Sequence, residues 1–236
     1  MSSSAIAVSI FKFVILLFSL SFHECAHAFV ASRLGDQTAR LQGRLTLNPL
    51  PHIDPVGTLL FPAMIIFGPL VGFGFPFLLV GWAKPTPVVT RNLKKIVRDD
   101  NLITLAGPAS NLILAFVAFL GLMVAAVAVP GGRALLRGTL AGGLMINGPS
   151  ELQALVVIAL ITIEINITLL FFNLLPIPPL DGSHFLRNML PYNAVQKYDR
   201  IPIWVSYLFM IVFGGFVLGL LVNPVMNLAS WALRTV

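Results

Sequence analysis

The segment His23-Glu24-Cys25-Ala26-His27 carries the residue types of a catalytic zinc site. Its two histidines are four residues apart, and on an α-helix this spacing places both imidazoles on one face, about 40° apart. Two imidazoles so placed can bind one Zn²⁺, and Glu24 can act as general base on a water molecule at the metal. In the alternative interpretation the two histidines only pack or face solvent, because a five-residue pattern also arises by chance.

A catalytic zinc ion takes three protein ligands and keeps one position open. Asp181 is favoured as the third ligand, because three prolines restrict the backbone before it and Gly182 frees the backbone after it. In the alternative interpretation Asp181 caps a turn or a short helix, which is the commoner use of an Asp-Gly pair. The other candidates outside the motif are His184, His52, Glu164, Asp54 and Glu151.

Apolar helices are the elements that must position these residues. The 236-residue chain is 57% hydrophobic and only 10% charged, whereas about a quarter of the residues in soluble domains are charged. Four apolar segments are long enough to cross a bilayer, namely residues 5–32, 102–129, 152–175 and 201–231. The motif lies in the first of them. We therefore predict an all-α polytopic membrane protein, with residues 1–236 forming one domain around a zinc site inside the membrane.

Residues 56–82 are apolar as well, but glycines and prolines interrupt them repeatedly. Such a segment is a kinked span, a pair of half-helices or a re-entrant segment buried against protein. Residues 130–150 contain several glycines and two arginines, and we interpret them as a loop.

Charge and cysteine content exclude several classes of protein. The chain has 15 Lys and Arg against 9 Asp and Glu, an excess that in a membrane protein predicts basic cytoplasmic loops near anionic lipid, and no nucleic-acid surface. Cys25 is the only cysteine, so an intrachain disulfide and a cysteine-based zinc site are both excluded. No basic region precedes the first apolar run, so we do not expect a cleaved signal peptide.

Several separated motifs together resemble the site-2 protease family of intramembrane zinc metalloproteases. In chain order they are His23-Glu24-x-x-His27, Asn48-Pro49 through Gly57, Gly81-Trp82-Ala83-Lys84-Pro85, Ala106-Gly107-Pro108-x-x-Asn111, and Asn173-Leu174-Leu175-Pro176 through Leu180-Asp181-Gly182. The resemblance extends to the compact subgroup, since no stretch is left for a PDZ or CBS domain.

This resemblance implies a role for each matching residue. His23, His27 and Asp181 are the implied zinc ligands, Glu24 is the implied catalytic base, and Asn173 matches an asparagine that stabilises the oxyanion or orients substrate. The chain departs from the family at position 184, where many members carry arginine. We interpret His184 as a loop histidine, with a role beside the ligands or as an alternative ligand left open.

The zinc site also constrains topology. His27 and Asp181 must both lie about 2 Å from one metal ion, so the helices that precede them must end on the same membrane face. Two clear spans separate those ends, and residues 56–82 must then cross twice or not at all. The linkers 33–54, 84–100 and 176–200 then share one face and carry eleven of the fifteen Lys and Arg. The positive-inside rule predicts that this face of the cell membrane is cytoplasmic and that the N-terminus is outside.

The sequence thus predicts an intramembrane zinc endopeptidase that cleaves transmembrane or membrane-associated proteins near the cytoplasmic face. One alternative is a catalytically silent scaffold that binds single-span proteins. Another is a metal transporter, which would need acidic or histidine residues spread along the depth of several helices, and outside the zinc motif only Glu164 fits that description. Glu164 either lines a polar path or pairs with a neighbouring helix, or it is protonated and bonded within its own helix to a group such as Thr168.

Overall fold

A computed structural model of the chain describes residues 2–73, 82–142 and 151–235. Within these ranges the chain is helical and has no β-strand. The helices, in order, are α1 (Ser3–Leu34), α2 (Thr38–Leu41), α3 (Phe61–Phe67), α4 (Ile96–Ala128), α5 (Gly132–Gly142), α6 (Glu151–Leu174), α7 (Asp181–Met189), α8 (Tyr192–Tyr198) and α9 (Ile203–Thr235).

Helices α1, α4, α6 and α9 are long and apolar enough to cross a membrane. They coincide with the four predicted segments, which confirms an all-α polytopic membrane protein. Helix α4 begins six residues before the predicted start, because its first turn is polar. There the Asp99 carboxylate accepts a hydrogen bond from the Lys95 N–H at 2.9 Å, which satisfies one of the free N–H groups at a helix start.

The prediction of a loop at residues 130–150 is wrong for its first half. Residues Gly132–Gly142 form α5, and Leu136 is only 2% exposed in a core shared by α4, α6 and α9. The glycines suggested a loop, but burial of the leucine face outweighs the roughly 1 kcal/mol that a helical glycine costs. Residues 143–150 lie outside the described ranges.

The Pro/Gly-broken segment starts with one short apolar helix, Pro55–Val71, made of a π-helical turn, α3 and a 3₁₀ turn. It runs antiparallel to α1, where the Phe13 and Phe67 rings are 5.7 Å apart. The two ends of the segment lie side by side, since the Trp82 N–H donates to the Gly57 carbonyl at 3.2 Å. Residues 74–81 lie outside the described ranges, so a re-entrant path and a double crossing both stay predictions.

Asp36 connects the end of α1 to the linker that precedes α4. It follows Gly35, whose φ of 121° ends the helix, and its buried carboxylate accepts hydrogen bonds from Thr38, the Val89 N–H and the Asn92 side chain. Burial raises the pKa of Asp36, but these hydrogen bonds lower it below its ordinary value. A charged, fully bonded carboxylate therefore fixes the linker against α1.

The meeting of Gly57 with Trp82 predicts that the linkers on either side of this segment face the same compartment. In a Cys25→Ala background, single cysteines at the exposed positions Arg40 and Arg91 should react with a membrane-impermeant maleimide from the same side. A cysteine at Arg137 in α5 should react from the other side and serves as the control. Labelling of positions 40 and 91 from opposite sides would contradict this topology.

Candidate metal centre

His23, His27 and Asp181 meet at one point between α1, α4 and the start of α7. The two Nε2 atoms are 3.0 Å apart, and Asp181 Oδ2 lies 3.0 Å from His23 Nε2 and 3.4 Å from His27 Nε2. Three ligands at ~2.0–2.1 Å from a tetrahedral zinc ion are about 3.3 Å apart. The three atoms therefore have the mutual spacing of a zinc ligand set.

Hydrogen bonds to α4 determine which nitrogen of each imidazole carries the proton. His27 Nδ1 lies 2.7 Å from the Ile103 carbonyl oxygen, and His23 Nδ1 lies 2.7 Å from Asn111 Oδ1. Both oxygens only accept, so each Nδ1 carries a proton, and in the neutral imidazole each Nε2 then presents a lone pair. This is the tautomer in which a histidine binds a metal.

The orientation of Asn111 is itself determined by a chain of buried groups. The Asn166 amide nitrogen donates to the Thr162 carbonyl and to the Ser19 hydroxyl, both at 2.9 Å. Its oxygen therefore faces Asn111 and accepts from the Asn111 amide nitrogen at 2.9 Å. The Asn111 oxygen is left to face His23. Since Asn111 and Asn166 are both fully buried, neither amide can exchange these partners for water.

Gly107 provides the space in which the imidazoles meet. A Cβ atom at this position of α4 would overlap His27 Nε2 and would lie 2.5 Å from His23 Cε1 and Nε2. The absence of a side chain lets α1 approach α4 closely enough for the imidazoles to reach Ile103 and Asn111. In the sequence, Gly107 stands in the motif Ala106-Gly107-Pro108-x-x-Asn111, and the structure shows which contact needs it.

The turn after α6 brings Asp181 to the histidines. Asp181 is the first residue of α7, and Gly182 packs so tightly against the end of α6 that a Cβ there would overlap the Leu174 carbonyl oxygen. Gly182 was predicted to free the backbone, but it is helical without a positive φ, and its role is to allow a close approach of two backbones. One Asp181 oxygen, Oδ2, is buried and has no hydrogen-bond donor among the described residues, which is the situation expected of a ligand atom.

In their neutral form the two imidazoles present unprotonated Nε2 atoms, and the Asp181 oxygen beside them accepts no hydrogen bond within the described ranges. This set of atoms suits a divalent cation better than a proton. Nitrogen and carboxylate ligands together are typical of catalytic zinc, and a fourth position is left for water or substrate. The residues present therefore fit a bound zinc ion.

Glu24 lies one residue after the first histidine and is held by Thr86. Its Oε2 atom accepts hydrogen bonds from the Thr86 N–H at 2.9 Å and from the Thr86 hydroxyl at 2.8 Å. These bonds occupy one carboxylate oxygen and fix the side chain, which leaves Oε1 to act on water. Sequence analysis missed Thr86, because it lies 62 residues from Glu24 and one position beyond the motif that ends at Pro85.

The metal centre opens into a cavity of about 850 Å³ between α1 and α6. Glu24, Asn173 and the ligands line it together with side chains of α3, α7 and α9. The Asn173 amide nitrogen donates to the Leu169 carbonyl at 2.9 Å, and this bond fixes its orientation at the end of α6. All five predicted site residues therefore line one cavity.

The other candidate ligands lie outside the three-residue cluster. His52 is buried and its Nε2 lies 3.0 Å from the Thr46 carbonyl, and Asp54 caps the Pro55–Leu60 turn. His184 is exposed and lines the cavity one turn after Asp181. Glu164 forms an ion pair with Lys12 on α1 at 3.7 Å. The Thr168 hydroxyl donates to the Glu164 backbone carbonyl, so the expected bond to its carboxyl group is not formed.

Comparison with known proteins agrees with this geometry. The model of Peptidase family M50 matches residues 11–214, which is most of the chain. The chain belongs to this family. It is the site-2 protease family that the motifs resemble, and its zinc metalloprotease activity is that of the family. The described residues contain no PDZ or CBS domain, in keeping with the compact subgroup.

Curated relatives carry the same activity in their names. "Putative zinc metalloprotease YwhC" of Bacillus subtilis is 37% identical over 214 residues, covering 89% of this chain and 84% of the relative. "Putative zinc metalloprotease Rip2" of Mycolicibacterium smegmatis is 32% identical over 226 residues, covering 93% of this chain and 70% of the relative. No solved structure matches the chain significantly.

The close approach at Gly107 predicts that Gly107→Ala loses zinc. The added Cβ meets both imidazoles, so the helices must separate and the three ligand atoms lose their spacing. Zinc content per protein after purification measures this directly. Gly121→Ala, on the same helix with open space around its Cβ position, should keep full zinc content. Equal zinc content in both variants would contradict the proposed packing of the centre.

Proposed function

We propose that this zinc metalloprotease cleaves peptide bonds of transmembrane or membrane-associated proteins at a site inside the bilayer. The observation that supports this is the position of the three-ligand cluster: two ligands lie on α1, which is long enough to span a membrane, and the third lies just after the end of α6, with Glu24 and Asn173 lining the same cavity. A cavity of this volume accommodates several residues of a substrate chain.

When bound, zinc polarises the scissile carbonyl and lowers the pKa of water. His23, His27 and Asp181 hold the ion, and their carbonyl and amide partners on α4 keep both Nε2 lone pairs available. Glu24 accepts a proton from the attacking water through Oε1, while Thr86 holds Oε2. Glu24 then delivers this proton to the leaving amine as general acid.

Asn173 is assigned to the carbonyl oxygen of the scissile bond. Its amide nitrogen has two N–H groups, and the bond to Leu169 uses one of them. The second N–H is available to donate to the oxygen on which negative charge develops. A fixed donor of this kind costs little reorganisation during the reaction.

The substrate must be unwound before attack, because a transmembrane helix satisfies its own amides. Residues 82–89 form neither helix nor strand, and Thr86 in this segment bonds to Glu24 beside the metal centre. Four of the segment's N–H groups already donate within the protein and two of its residues are prolines, so a substrate strand would pair mainly with its backbone carbonyl groups. We assign the substrate strand to this edge, in preference to a purely packing role for the segment.

The zinc end of the molecule is assigned to the cytoplasmic side and the N-terminus to the outside. This assignment rests on the eleven of fifteen Lys and Arg that lie in the linkers next to the metal centre. It places the cleaved bond near the cytoplasmic face of a cell membrane.

A catalytically silent scaffold would need the same cavity but neither a free Glu24 oxygen nor bare imidazole nitrogens. The hydrogen bonds that Ile103 and Asn111 accept orient the imidazoles for metal binding, which a scaffold does not require. A proteolytic function is therefore favoured over binding alone.

Glu24→Gln should abolish cleavage of a membrane-embedded substrate while zinc stays bound. Glutamine keeps the shape of the side chain but cannot accept the proton, which predicts a loss of at least about 100-fold. Cleavage in proteoliposomes and zinc content are measured on the same preparations. His23→Ala, His27→Ala and Asp181→Ala should each lose both zinc and activity. Full zinc content in Asp181→Ala would disprove the three-ligand assignment.

Thr86→Val should lower kcat about tenfold with zinc content and KM unchanged, as expected for loss of a group that positions a catalytic residue. Valine keeps the volume of threonine and removes the hydroxyl bond to Glu24. Thr86→Ser restores the hydroxyl and should recover most of kcat. A similar loss in the valine and serine variants would point to packing instead of the hydrogen bond.

A further inference from the structure

The Lys12–Glu164 ion pair lies far from the metal centre but lines the same cavity. Lys12 is eleven residues before His23 on α1, and Glu164 is nine residues before Asn173 on α6. At ~1.5 Å per helical residue, the pair is about 13–16 Å from the catalytic groups. The mechanism above does not use it.

Joining α1 to α6 does not require this pair. The two helices are already connected by the Asn166–Ser19 hydrogen bond at 2.9 Å between buried groups. The pair is loose, with 3.7 Å between Nζ and Oε2, and its side chains are 33% and 41% exposed. An ion pair this long and this exposed contributes little to stability.

The cavity wall beside the pair is apolar. Leu16, one turn after Lys12, lines the cavity, as does Ile66, whose carbonyl accepts a hydrogen bond from Ser9. Charged side chains within a membrane protein are costly and mark functional sites when they face an internal cavity. Here one cation and one anion are presented side by side among apolar side chains, and the neighbouring Thr168 hydroxyl is already bonded to the Glu164 backbone carbonyl.

We propose that Lys12 and Glu164 form a subsite that recognises a carboxamide side chain, Asn or Gln, in the transmembrane segment of the substrate. The amide oxygen accepts from the Lys12 ammonium group, and the amide N–H₂ donates to the Glu164 carboxylate. A charged side chain would meet one like charge, and an apolar one would add no hydrogen bond to the ion pair. This inference rests on the proposed function, because it assigns the substrate of that same site.

The distance between the ion pair and the catalytic groups determines how many residues separate the recognised side chain from the scissile bond. About 13–16 Å corresponds to roughly nine to eleven residues of substrate helix, or about four or five residues of extended chain. The carboxamide therefore lies within about four to eleven residues of the scissile bond, on the side that points away from the zinc end of α1.

Binding of synthetic transmembrane peptides tests this subsite without turnover. The peptides are leucine- and alanine-rich, with one Asn moved a position at a time through the window. They are titrated in nanodiscs against the zinc-loaded Glu24→Gln protein. We expect one or two positions on a single helix face to bind about fivefold to thirtyfold tighter than the all-apolar peptide, as for one interhelical polar contact.

Lys12→Met removes the donor and Glu164→Leu removes the acceptor, so each should lose most of this gain, measured against the apolar peptide on the same variant, without changing zinc content. Glu151→Leu is the matched control, because Glu151 is an exposed carboxylate on the same helix outside the cavity. A glycine at the favoured position should give no gain, which separates side-chain recognition from helix unwinding. No gain at any Asn position, or a gain that survives in both variants, would overturn the proposal.

Cleavage of the same peptides by the wild-type protein separates this proposal from the proposed function. Asn-dependent binding without cleavage of any peptide would support the subsite and contradict the protease assignment. Cleavage of all peptides at one rate, with no difference in binding, would support the protease and reject the subsite.

Discussion

Zinc binding requires that the Nε2 atoms of His23 and His27 carry no proton, and two acceptors on α4 impose this condition. For the Nδ1 groups to reach the Ile103 carbonyl and Asn111, the imidazoles must pack directly against α4 at Gly107, where a Cβ would overlap them. Asn111 in turn depends on a partner from α6. The positions of α1, α4 and α6 are thus tied to the protonation state of the two imidazoles. The turn after α6 places Asp181 at the same point.

Local patterns predicted the parts of this arrangement that depend on local physics. Hydropathy predicted the four long helices. The four-residue spacing of His23 and His27 predicted that both imidazoles lie on one face of a helix. Asp181 was found from the prolines and the glycine around it. Asn166 and Thr86 were missed, because each acts on a residue 55 or 62 positions away, and neither sequence neighbourhood differs from that of an ordinary polar residue. Helix α5 was missed because its glycines concealed a leucine face whose partners belong to three other helices.

Packing and polarity are distributed unequally along the bundle. The largest apolar cluster joins α4, α5, α6 and α9 at the end remote from zinc, whereas the zinc end has buried amides, hydroxyls and imidazoles around an open cavity. Apolar burial is non-directional and tolerates small shifts, while a hydrogen-bonded network requires defined distances. The apolar cluster at the remote end therefore stabilises the packing of the helices. The hydrogen-bonded network at the zinc end fixes the geometry that catalysis needs.

The polar chain from Ser19 through Asn166 and Asn111 to His23 also has a consequence for biosynthesis. Helix α1 leaves the ribosome first, but its partner Asn166 is 147 residues further along the chain. At ~5–20 residues per second this delay is about 7–30 s. During that interval Ser19 lacks its partner from α6, and for the first part of it the two histidines also lack their α4 partners, which follow them by 76 and 88 residues. Polar groups of this kind are costly in lipid. The nascent first helix must therefore wait in a hydrated or chaperoned site, such as the insertion machinery itself, until α6 has been made.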